Sequence, residues 1–366
     1  MAEKTGATTA EYGLGPLTYP RGWFMVAIAE DVTSTPQPVR FFGREMVLYR
    51  GKATGRIVLL DAYCAHMRVH LARNTTSYVV KDGKHVDGDG IRCPAHGWRY
   101  DATGKVDDIP YSTHGIPKAA CVKGHRVVEK AGCVWMWHDM EGGEPGYDLP
   151  DFAEWGMEEK GWVRWRIDHL GTLPIHPQEI LDNMTDLAHF TPVHGSTDIL
   201  YFENEFRDHV IMQRLGSGHR TLVDSAHVLE NDTWYTGPGI LLSRMEGQHP
   251  SLMMICNTPV DDGVTRVWYA LMVKVAETRA DEAGVDLARE YQQTALAAFS
   301  QDFELWQHKE AALTILQVPD DGPFHKQRIW YRQFYNPLEK AHQFHTRVNG
   351  VHVSVDLRPA ATGKAA

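Results

Sequence analysis

Short apolar runs separated by turn residues fill roughly the first third of the chain. Runs rich in β-branched and aromatic residues occupy 23–29, 39–50, 55–63 and 119–138, with Gly, Pro and Asp between them. Segments of this kind predict β-strands. No helical periodicity interrupts them before about residue 140. We therefore expect an N-terminal domain of short antiparallel strands.

The pattern changes after a stretch rich in Gly, Pro and Asp at 142–152, which predicts a domain boundary. Further strands are predicted at 161–174, 198–206, 220–224, 227–237, 251–260 and 265–275, and a long helix at about 281–309. Several apolar side chains of these strands are candidates for a substrate pocket or for the ordinary core: Ile199, Tyr201, Phe202, Trp234, Leu241, Met253 and Ile255.

In the stretch 179–194, polar residues are spaced so that they would share one face of a helix. Residues three or four apart lie above one another on a helix, and here they are Glu179, Asp182, Asn183, Asp186 and His189. Burying such groups is costly unless something binds them, so a metal ion is predicted. Pro192 ends the helix, and His194 can turn back towards His189.

Composition narrows the function classes. The 366 residues have a net charge of −10, which disfavours nucleic-acid binding and anionic membrane surfaces. No apolar run approaches the roughly 18 residues of a membrane-spanning helix, and the first 15 residues lack the apolar core of a secretory signal. Five cysteines do not suggest a disulfide framework, so we expect a cytoplasmic protein.

Two Cys/His pairs lie within the first domain. Cys64 and His66 are separated by one residue, and Cys93 and His96 by two, with 26 residues between the pairs. One thiolate and one imidazole from each loop suit a [2Fe–2S] centre with imidazoles on one iron. A zinc site uses the same residue types, but usually with about two to four residues between paired ligands.

These motifs support a family resemblance. CAH followed by CPAHGWRYDATG resembles the Rieske iron–sulfur motif, and with NMTDLAHFTPVH it resembles the terminal oxygenase component of Rieske non-haem iron oxygenases, over about residues 17–340. The DAYCAHM wording and the length further resemble the bacterial 3-ketosteroid 9α-hydroxylase oxygenases. The resemblance implies an α+β protein: an antiparallel β Rieske domain at 17–145 and a helix-grip (START/Bet v 1-like) catalytic domain at 150–350, with a curved antiparallel sheet, long helices and flexible termini at 1–16 and 351–366.

The resemblance also implies site residues. The [2Fe–2S] cluster would be held by Cys64, His66, Cys93 and His96, and mononuclear iron(II) by His189, His194 and Asp302. Glu304 is the alternative third ligand, although Asp302 is the acid that shares a helix face with Trp306. Asp186 matches a position that bridges the two centres of neighbouring subunits through His189 and His96. Asn183 would shape the open side of the iron, or serve helix packing.

One segment departs from the family pattern. The gap between the Cys/His pairs is longer than usual, and 74–90 predicts an inserted hairpin with a strand at 77–80. His70 and His85 are expected to be surface residues.

The implied function is a monooxygenase that hydroxylates a large apolar substrate, steroid-like or polycyclic, in steroid or aromatic hydrocarbon catabolism. Electrons would come from NAD(P)H through a reductase or ferredoxin, O2 would be the co-substrate, and the assembly would be a homotrimer. The alternatives are dihydroxylation, demethylation or desaturation at the same iron, a Rieske electron carrier without the second iron, and a zinc-stabilised interaction module.

Overall fold

The computed structural model describes residues 6–219, 228–247 and 249–358. The chain divides into two compact units, one of residues 23–143 and one formed by the described residues on either side. The sequence predicted domains at 17–145 and 150–350. In the structure, residues 6–22 belong to the second unit instead of the first.

The first unit consists of three small antiparallel sheets. Their strands are β1 (Gly22–Ile28), β2 (Gln37–Phe41), β3 (Arg44–Arg50), β4 (Ile57–Asp61), β5 (Val86–Asp87), β6 (Gly90–Arg92), β7 (Arg99–Tyr100), β8 (Val106–Asp108), β9 (Val127–Lys130) and β10 (Cys133–His138). The sheet orders are β1-β10-β9, β2-β3-β4 and β5-β6-β7-β8. The predicted antiparallel strand domain is confirmed.

The inserted segment differs from its prediction. Residues Tyr78–Lys81 form a short helix, α1, instead of a strand. Oδ1 of Asn74 accepts the main-chain N–H groups of Thr76 and Ser77 at 3.1 and 2.9 Å, which turns the chain just before the helix.

The two histidines of this region are buried, not on the surface as predicted. His70 and His85 are 9% and 7% exposed. Nδ1 of His70 accepts the N–H groups of Ala72 and Arg73, and Nε2 of His85 lies 2.6 Å from the carbonyl oxygen of Leu71. Both side chains thus hydrogen-bond to the main chain just after the first Cys/His loop.

The second unit is built on a nine-stranded antiparallel sheet. Its strands are β11 (Trp162–Val163), β12 (Ile167–Leu173), β13 (Ser196–Arg207), β14 (Val210–His219), β15 (Leu229–Thr236), β16 (Ile240–Glu246), β17 (Ser251–Asp261), β18 (Val264–Lys274) and β19 (Gly350–Asp356). The order is β11-β18-β17-β16-β15-β14-β13-β19, with β12 also pairing with β18. The predicted strand at 220–224 lies outside the described residues.

Within the described residues, four α-helices accompany this sheet: α2 (Pro177–Leu181), α3 (Glu282–His308), α4 (Phe324–Arg332) and α5 (Ala341–Val348). The 27-residue α3 agrees with the predicted helix at 281–309. Ala288, Phe299 and Trp306 of this helix share one buried apolar cluster with Leu271 and Val273 of β18. The combination of antiparallel sheets with a long helix confirms the predicted α+β class.

The predicted continuous helix from Glu179 to the break at Pro192 is wrong. The α-helix ends at Leu181, and two separate 3-10 turns follow at Asp182–Met184 and Ala188–Phe190. The chain therefore leaves helical geometry well before Pro192, and the polar side chains of this stretch do not share one face.

The two ends of the described chain are packed instead of free. Gly350–Asp356 was predicted to be mostly flexible tail, but it pairs with β13 from Gly350↔Phe206 to Asp356↔Tyr201. At the other end, the main-chain N–H of Thr9 donates to Oδ1 of Asp262 at 2.7 Å. In both places hydrogen bonds to distant residues order segments whose own composition is polar.

Candidate functional site

The two Cys/His loops form a matched pair in the first unit. In each, the cysteine carbonyl accepts a main-chain N–H at 2.9 Å, from Arg68 in the loop of Cys64 and from Gly97 in the loop of Cys93. Both cysteines are 1% exposed. The rings of His66 and His96 lie edge to face, with centroids 4.8 Å apart and an interplanar angle of 67°. Two thiols thus lie inside and two imidazoles lie further out.

Hydrogen bonds prepare these groups for ligation. The hydroxyl of Tyr100 donates to Sγ of Cys64 at 3.0 Å and accepts the N–H of Ala65 at 2.9 Å. The hydrogen bond from Cys93, with that from Tyr100, lowers the pKa of Cys64 although burial opposes this, whereas the same thiol–thiol bond and burial raise the pKa of Cys93. Thiolate is the form that binds metal, so the donor set fits a [2Fe–2S] group.

An aromatic pair extends from this site. The ring of Trp98 stacks on His66 at 4.7 Å with an interplanar angle of 3°. Its Nε1 donates to the hydroxyl of Tyr111 at 2.8 Å. The stacking fixes the plane of His66.

A second group of ligating atoms lies in the other unit. His189 comes from the second 3-10 turn, His194 from the segment after it, and Asp302 from α3. One ligand atom from each lies within 4.8 Å of the other two. Nε2 of His194 is 3.2 Å from Oδ2 of Asp302. Two imidazoles and one carboxylate form the donor set of the facial triad that binds non-haem iron(II).

The two acids of α3 have different surroundings. Asp302 is buried, and Glu304 is exposed. Among the described residues the group of His189, His194 and Asp302 is the only close trio of this kind.

Hydrogen bonds from neighbouring segments hold the trio. Nδ2 of Asn183 donates to Oδ1 of Asp302 at 3.2 Å. Nδ1 of His189 donates to the main-chain carbonyl of Asp186 at 2.6 Å, which leaves Nε2 with its lone pair for a metal. Burial alone would lower the pKa of His194, but the hydrogen bond and charge of Asp302, with the contact of Gln301, raise it.

The carboxylate of Asp186 was predicted to accept a hydrogen bond from the imidazole of His189. In the structure the carboxylate has a different partner. Oδ1 accepts the main-chain N–H of His189 at 3.3 Å, and Oδ2 lies 3.8 Å from the imidazole Nδ1. The main-chain carbonyl therefore orients the ring. The carboxylate, 31% exposed, keeps acceptor capacity for another partner.

Two strand residues that the sequence did not single out also support the trio. The ring Nε2 of His219 lies 2.6 Å from the carbonyl oxygen of His194, and Nε2 of Gln213 donates to the carbonyl of Met184 at 3.1 Å. Both lie on β14 at odd positions, which share one face of a strand. That periodicity is the only signal the sequence contains for them.

Glu179 and Asp182 do not face the trio, so the metal predicted for the whole polar face applies to only part of it. Both acids are buried, and cations from distant segments pair with them: Lys309 with Glu179, and Arg328 with Asp182 at 2.6 Å. Tyr12 also donates to Glu179. Ion pairing offsets part of the burial cost that had suggested a metal, although burial still raises the pKa of Asp182 beside Arg328.

A cavity of about 300 Å³ opens beside the trio. Of the seven strand residues that were candidates for either pocket or core, Leu241, Met253 and Ile255 line it, together with Phe299 and Trp306 of α3. The other four candidates are not among its lining residues: Ile199, Tyr201, Phe202 and Trp234. Phe202 instead packs in a small separate core with Leu187 and Leu215.

Comparison with known protein families gives two matches that together cover most of the chain. The Rieske [2Fe-2S] domain matches residues 22–124, and the 3-ketosteroid 9alpha-hydroxylase C-terminal domain matches residues 136–335. The chain belongs to the 3-ketosteroid 9α-hydroxylase family of Rieske oxygenases. The catalytic family is matched over more than half of the chain, and the predicted resemblance is confirmed.

Curated proteins of this family are similar in sequence to this chain over most of its length. It is 30% identical over 340 residues to a 3-ketosteroid-9-alpha-monooxygenase oxygenase component of Rhodococcus rhodochrous, covering 89% of this chain and 86% of the relative. It is 29% identical to the protein of that name from Mycobacterium tuberculosis, covering 90% and 85%. Cholesterol 7-desaturase nvd 2 of Ciona intestinalis is 25% identical, covering 88% and 74%.

Solved structures show the same fold. Dicamba monooxygenase bound to dicamba has a TM-score of 0.65 at 16% identity, covering 90% of this chain and 98% of that one. A mutant of NdmA from Pseudomonas putida CBB5, solved with caffeine, has a TM-score of 0.64 at 16% identity. The match covers 94% of this chain and 97% of that one.

The family member is thus a terminal oxygenase component and a monooxygenase, with a Rieske [2Fe–2S] cluster and mononuclear iron as cofactors. The described helices include none that is both long and apolar enough to span a membrane.

Proposed function

We propose that this oxygenase hydroxylates a large apolar ring compound of the steroid type. The observation that carries the proposal is the trio of His189, His194 and Asp302 at the side of a largely apolar cavity of about 300 Å³. The relatives named as 3-ketosteroid monooxygenase components support the substrate class. Electrons come from a reductase or ferredoxin, and the few, widely spaced cysteines favour a cytoplasmic location.

We assign the ligands residue by residue. Cys64, His66, Cys93 and His96 hold the [2Fe–2S] cluster, and His189, His194 and Asp302 hold iron(II). When bound, the cluster supplies single electrons and the iron supplies the activation of O2 needed for insertion of one oxygen atom into a C–H bond.

The surrounding residues orient the ligands and shape the cavity. The main-chain carbonyl of Asp186 holds the proton of His189 on Nδ1, and Asn183 fixes the rotation of the Asp302 carboxylate. Hydrogen bonds of this type, made to the ligand side chains on the side away from the metal, would keep the ligand lone pairs aimed at it. Leu241, Met253 and Phe299 exclude water and hold the rings of the substrate.

The active assembly is a homotrimer in which the Rieske unit of one chain meets the catalytic unit of the next. Asp186 is the bridging residue, because its half-exposed carboxylate is not used by the imidazole of His189. It would accept a hydrogen bond from His96 of the next subunit. A heterologous contact of this kind closes into a ring of three. Light scattering tests the trimer, and a monomer that turns over with its reductase would contradict it.

Iron content and product formation test the function together. We expect about three irons per chain in the loaded protein, two in the cluster and one at the trio. With a surrogate reductase and a steroid ketone, mass spectrometry should find a product heavier by one oxygen atom. About two irons per chain, with no loss of iron after substitution of His189 or His194, would mean that the protein is an electron carrier and not an oxygenase.

A further inference from the structure

A second cavity, of about 180 Å³, lies in the catalytic unit apart from the cavity beside the trio. The two cavities share no lining residue. Leu14, Leu313 and Ile329 form the apolar part of its wall, and most of the remaining wall is basic. Its chemistry therefore differs from that of the largely apolar cavity at the metal centre.

Four basic side chains line this second cavity, and none of its lining residues is acidic. His325, Arg328 and Arg332 follow one another on α4 at spacings of three and four residues, so they lie on one face of that helix. Arg347 reaches the same cavity from α5. Two packed helices thus direct their basic side chains into one enclosed space.

Of the three arginines, Arg328 is already neutralised. Its Nη2 lies 2.6 Å from Oδ2 of Asp182. Within the part of the chain that the structure describes, the side chains of Arg332 and Arg347 form no ion pair and no hydrogen bond. Two cations that share one cavity repel each other, and a bound anion would offset this repulsion.

The charge of this region is opposite to that of the unit that contains it. Residues 324–348, which include α4 and α5, have five basic residues and one acidic residue. The unit as a whole has 21 basic and 34 acidic residues. A basic cavity on an acidic unit attracts anions at one place instead of over the whole surface.

We propose that this cavity binds a phosphate group. Dianionic phosphate matches the charge of the guanidinium groups of Arg332 and Arg347, and each guanidinium can donate two parallel N–H bonds to phosphate oxygens. The imidazole of His325 offers a further donor. Because Arg332 and Arg347 belong to different helices, the bound group would connect α4 to α5. The site serves neither iron centre, so the proposal goes beyond the oxygenase function.

Calorimetric titration of the iron-loaded protein with inorganic phosphate tests the proposal. Chloride keeps the ionic strength constant, so that charge screening does not change during the titration. The wild type should bind one phosphate per chain. Arg332→Gln and Arg347→Gln should each weaken binding about tenfold or more, because each removes a charge-assisted donor group. Lys340→Gln is the matched control, since it removes an exposed charge of the same region that does not line the cavity.

A parallel titration with adenosine 5′-monophosphate identifies the source of the phosphate group. Tighter binding than that of inorganic phosphate assigns the site to a phosphomonoester, and weaker binding assigns it to free phosphate. Either result supports the proposal if it depends on the two arginines.

Two results would overturn the proposal. One is the absence of saturable binding of both probes below about 10 mM. The other is binding that is unchanged in Arg332→Gln and Arg347→Gln, because the anion then binds elsewhere, for example at the iron. Neither result affects iron content or product formation, which test the oxygenase function separately. The wild-type titration needs no variant, and the two arginines lie on different helices, so a folding failure of one variant leaves the other as a test.

Discussion

Asn183 holds one oxygen of the Asp302 carboxylate through an Nδ2–Oδ1 hydrogen bond of 3.2 Å. The other oxygen of Asp302 is 3.2 Å from Nε2 of His194. The amide thus sets the rotation of the only carboxylate in the trio. Its own loop is fastened by Gln213, which donates to the carbonyl of Met184. The geometry of the metal centre therefore depends on three segments that are distant in sequence.

Removing this amide should weaken iron binding at the trio without affecting the Rieske cluster. We expect Asn183→Leu to lower the affinity for mononuclear iron about ten- to a hundredfold, because Asp302 is then free to rotate. Iron titration followed by metal analysis measures this. Asn349→Leu is the matched control, since that exposed amide bonds to Asp208 instead. Unchanged affinity in Asn183→Leu would assign Asn183 to packing alone.

The choice between the two acids of α3 can be tested by paired amide substitutions. Asp302→Asn should lose most of the mononuclear iron, because a buried carboxylate that contacts His194 becomes a neutral amide. Glu304→Gln should keep it, since Glu304 is exposed on another face of the helix. Metal analysis of both variants after identical loading is sufficient. Iron loss in Glu304→Gln alone would reverse the assignment.

Asp186→Asn should separate iron binding from turnover. The main-chain carbonyl that orients His189 is retained in this variant, so both iron centres should stay loaded. Without the carboxylate charge, product formation should fall about a hundredfold or more. Single-turnover assays with a reduced cluster measure it. Asp198→Asn changes an exposed acid nearby and should remain active; full activity in Asp186→Asn would remove the bridging role.

The hydroxyl of Tyr100 should raise the reduction potential of the cluster, because a hydrogen bond to a ligand sulfur stabilises the reduced, more negative state. We expect Tyr100→Phe to lower the potential by about 20–60 mV, the equivalent of one hydrogen bond. A redox titration followed by electron resonance measures this. Tyr49→Phe removes a buried hydroxyl that bonds to the carbonyl of Asp89, and should leave the potential in place. Equal potentials in all three proteins would contradict the effect.

Acid should destabilise the catalytic unit through His176. This side chain is 2% exposed, its Nδ1 accepts the N–H of Gln178 at the start of α2, and its Nε2 lies 3.1 Å from Oγ1 of Thr9. Burial lowers its pKa to about 3, against 6.5 normally. The unfolded chain therefore binds this proton first, and stability falls as pH drops from about 6.5 towards 3.

Between pH 7 and pH 5, His176 should lower the free energy of unfolding by about 2 kcal/mol. Urea denaturation at the two pH values measures it. His176→Asn retains an acceptor for the N–H of Gln178 but cannot be protonated, so its loss over the same interval should be smaller by about that amount. The same pH dependence in both proteins would mean that other groups are responsible.

Features that depend on neighbours in sequence were predicted well. The Cys/His pairs, the turns that present them and the strands around them follow from spacing of a few residues. The selection of Asp302 over Glu304 rested on the family resemblance and on the helix face that Asp302 shares with Trp306. Asp302 and Trp306 are both buried, while Glu304 is exposed. A helix as long as α3 imposes that periodicity by itself.

Features that depend on distant partners were missed. The polar stretch after Glu179 was predicted as one metal-binding helix, because Lys309 and Arg328, which neutralise its first two acids, lie more than a hundred residues away. The same holds for β19, which is ordered by pairing with β13.

The sequence by itself determined the family, the two metal-binding motifs and the class of fold, because ligand spacing and strand or helix period are local properties. Only the tertiary structure decided which acid lies beside His189 and His194 and which acids are paired with cations. It also decided that Asp186 orients His189 through its main-chain carbonyl. Those outcomes depend on distances between segments, which folding sets through burial and hydrogen bonding across the sheet and α3.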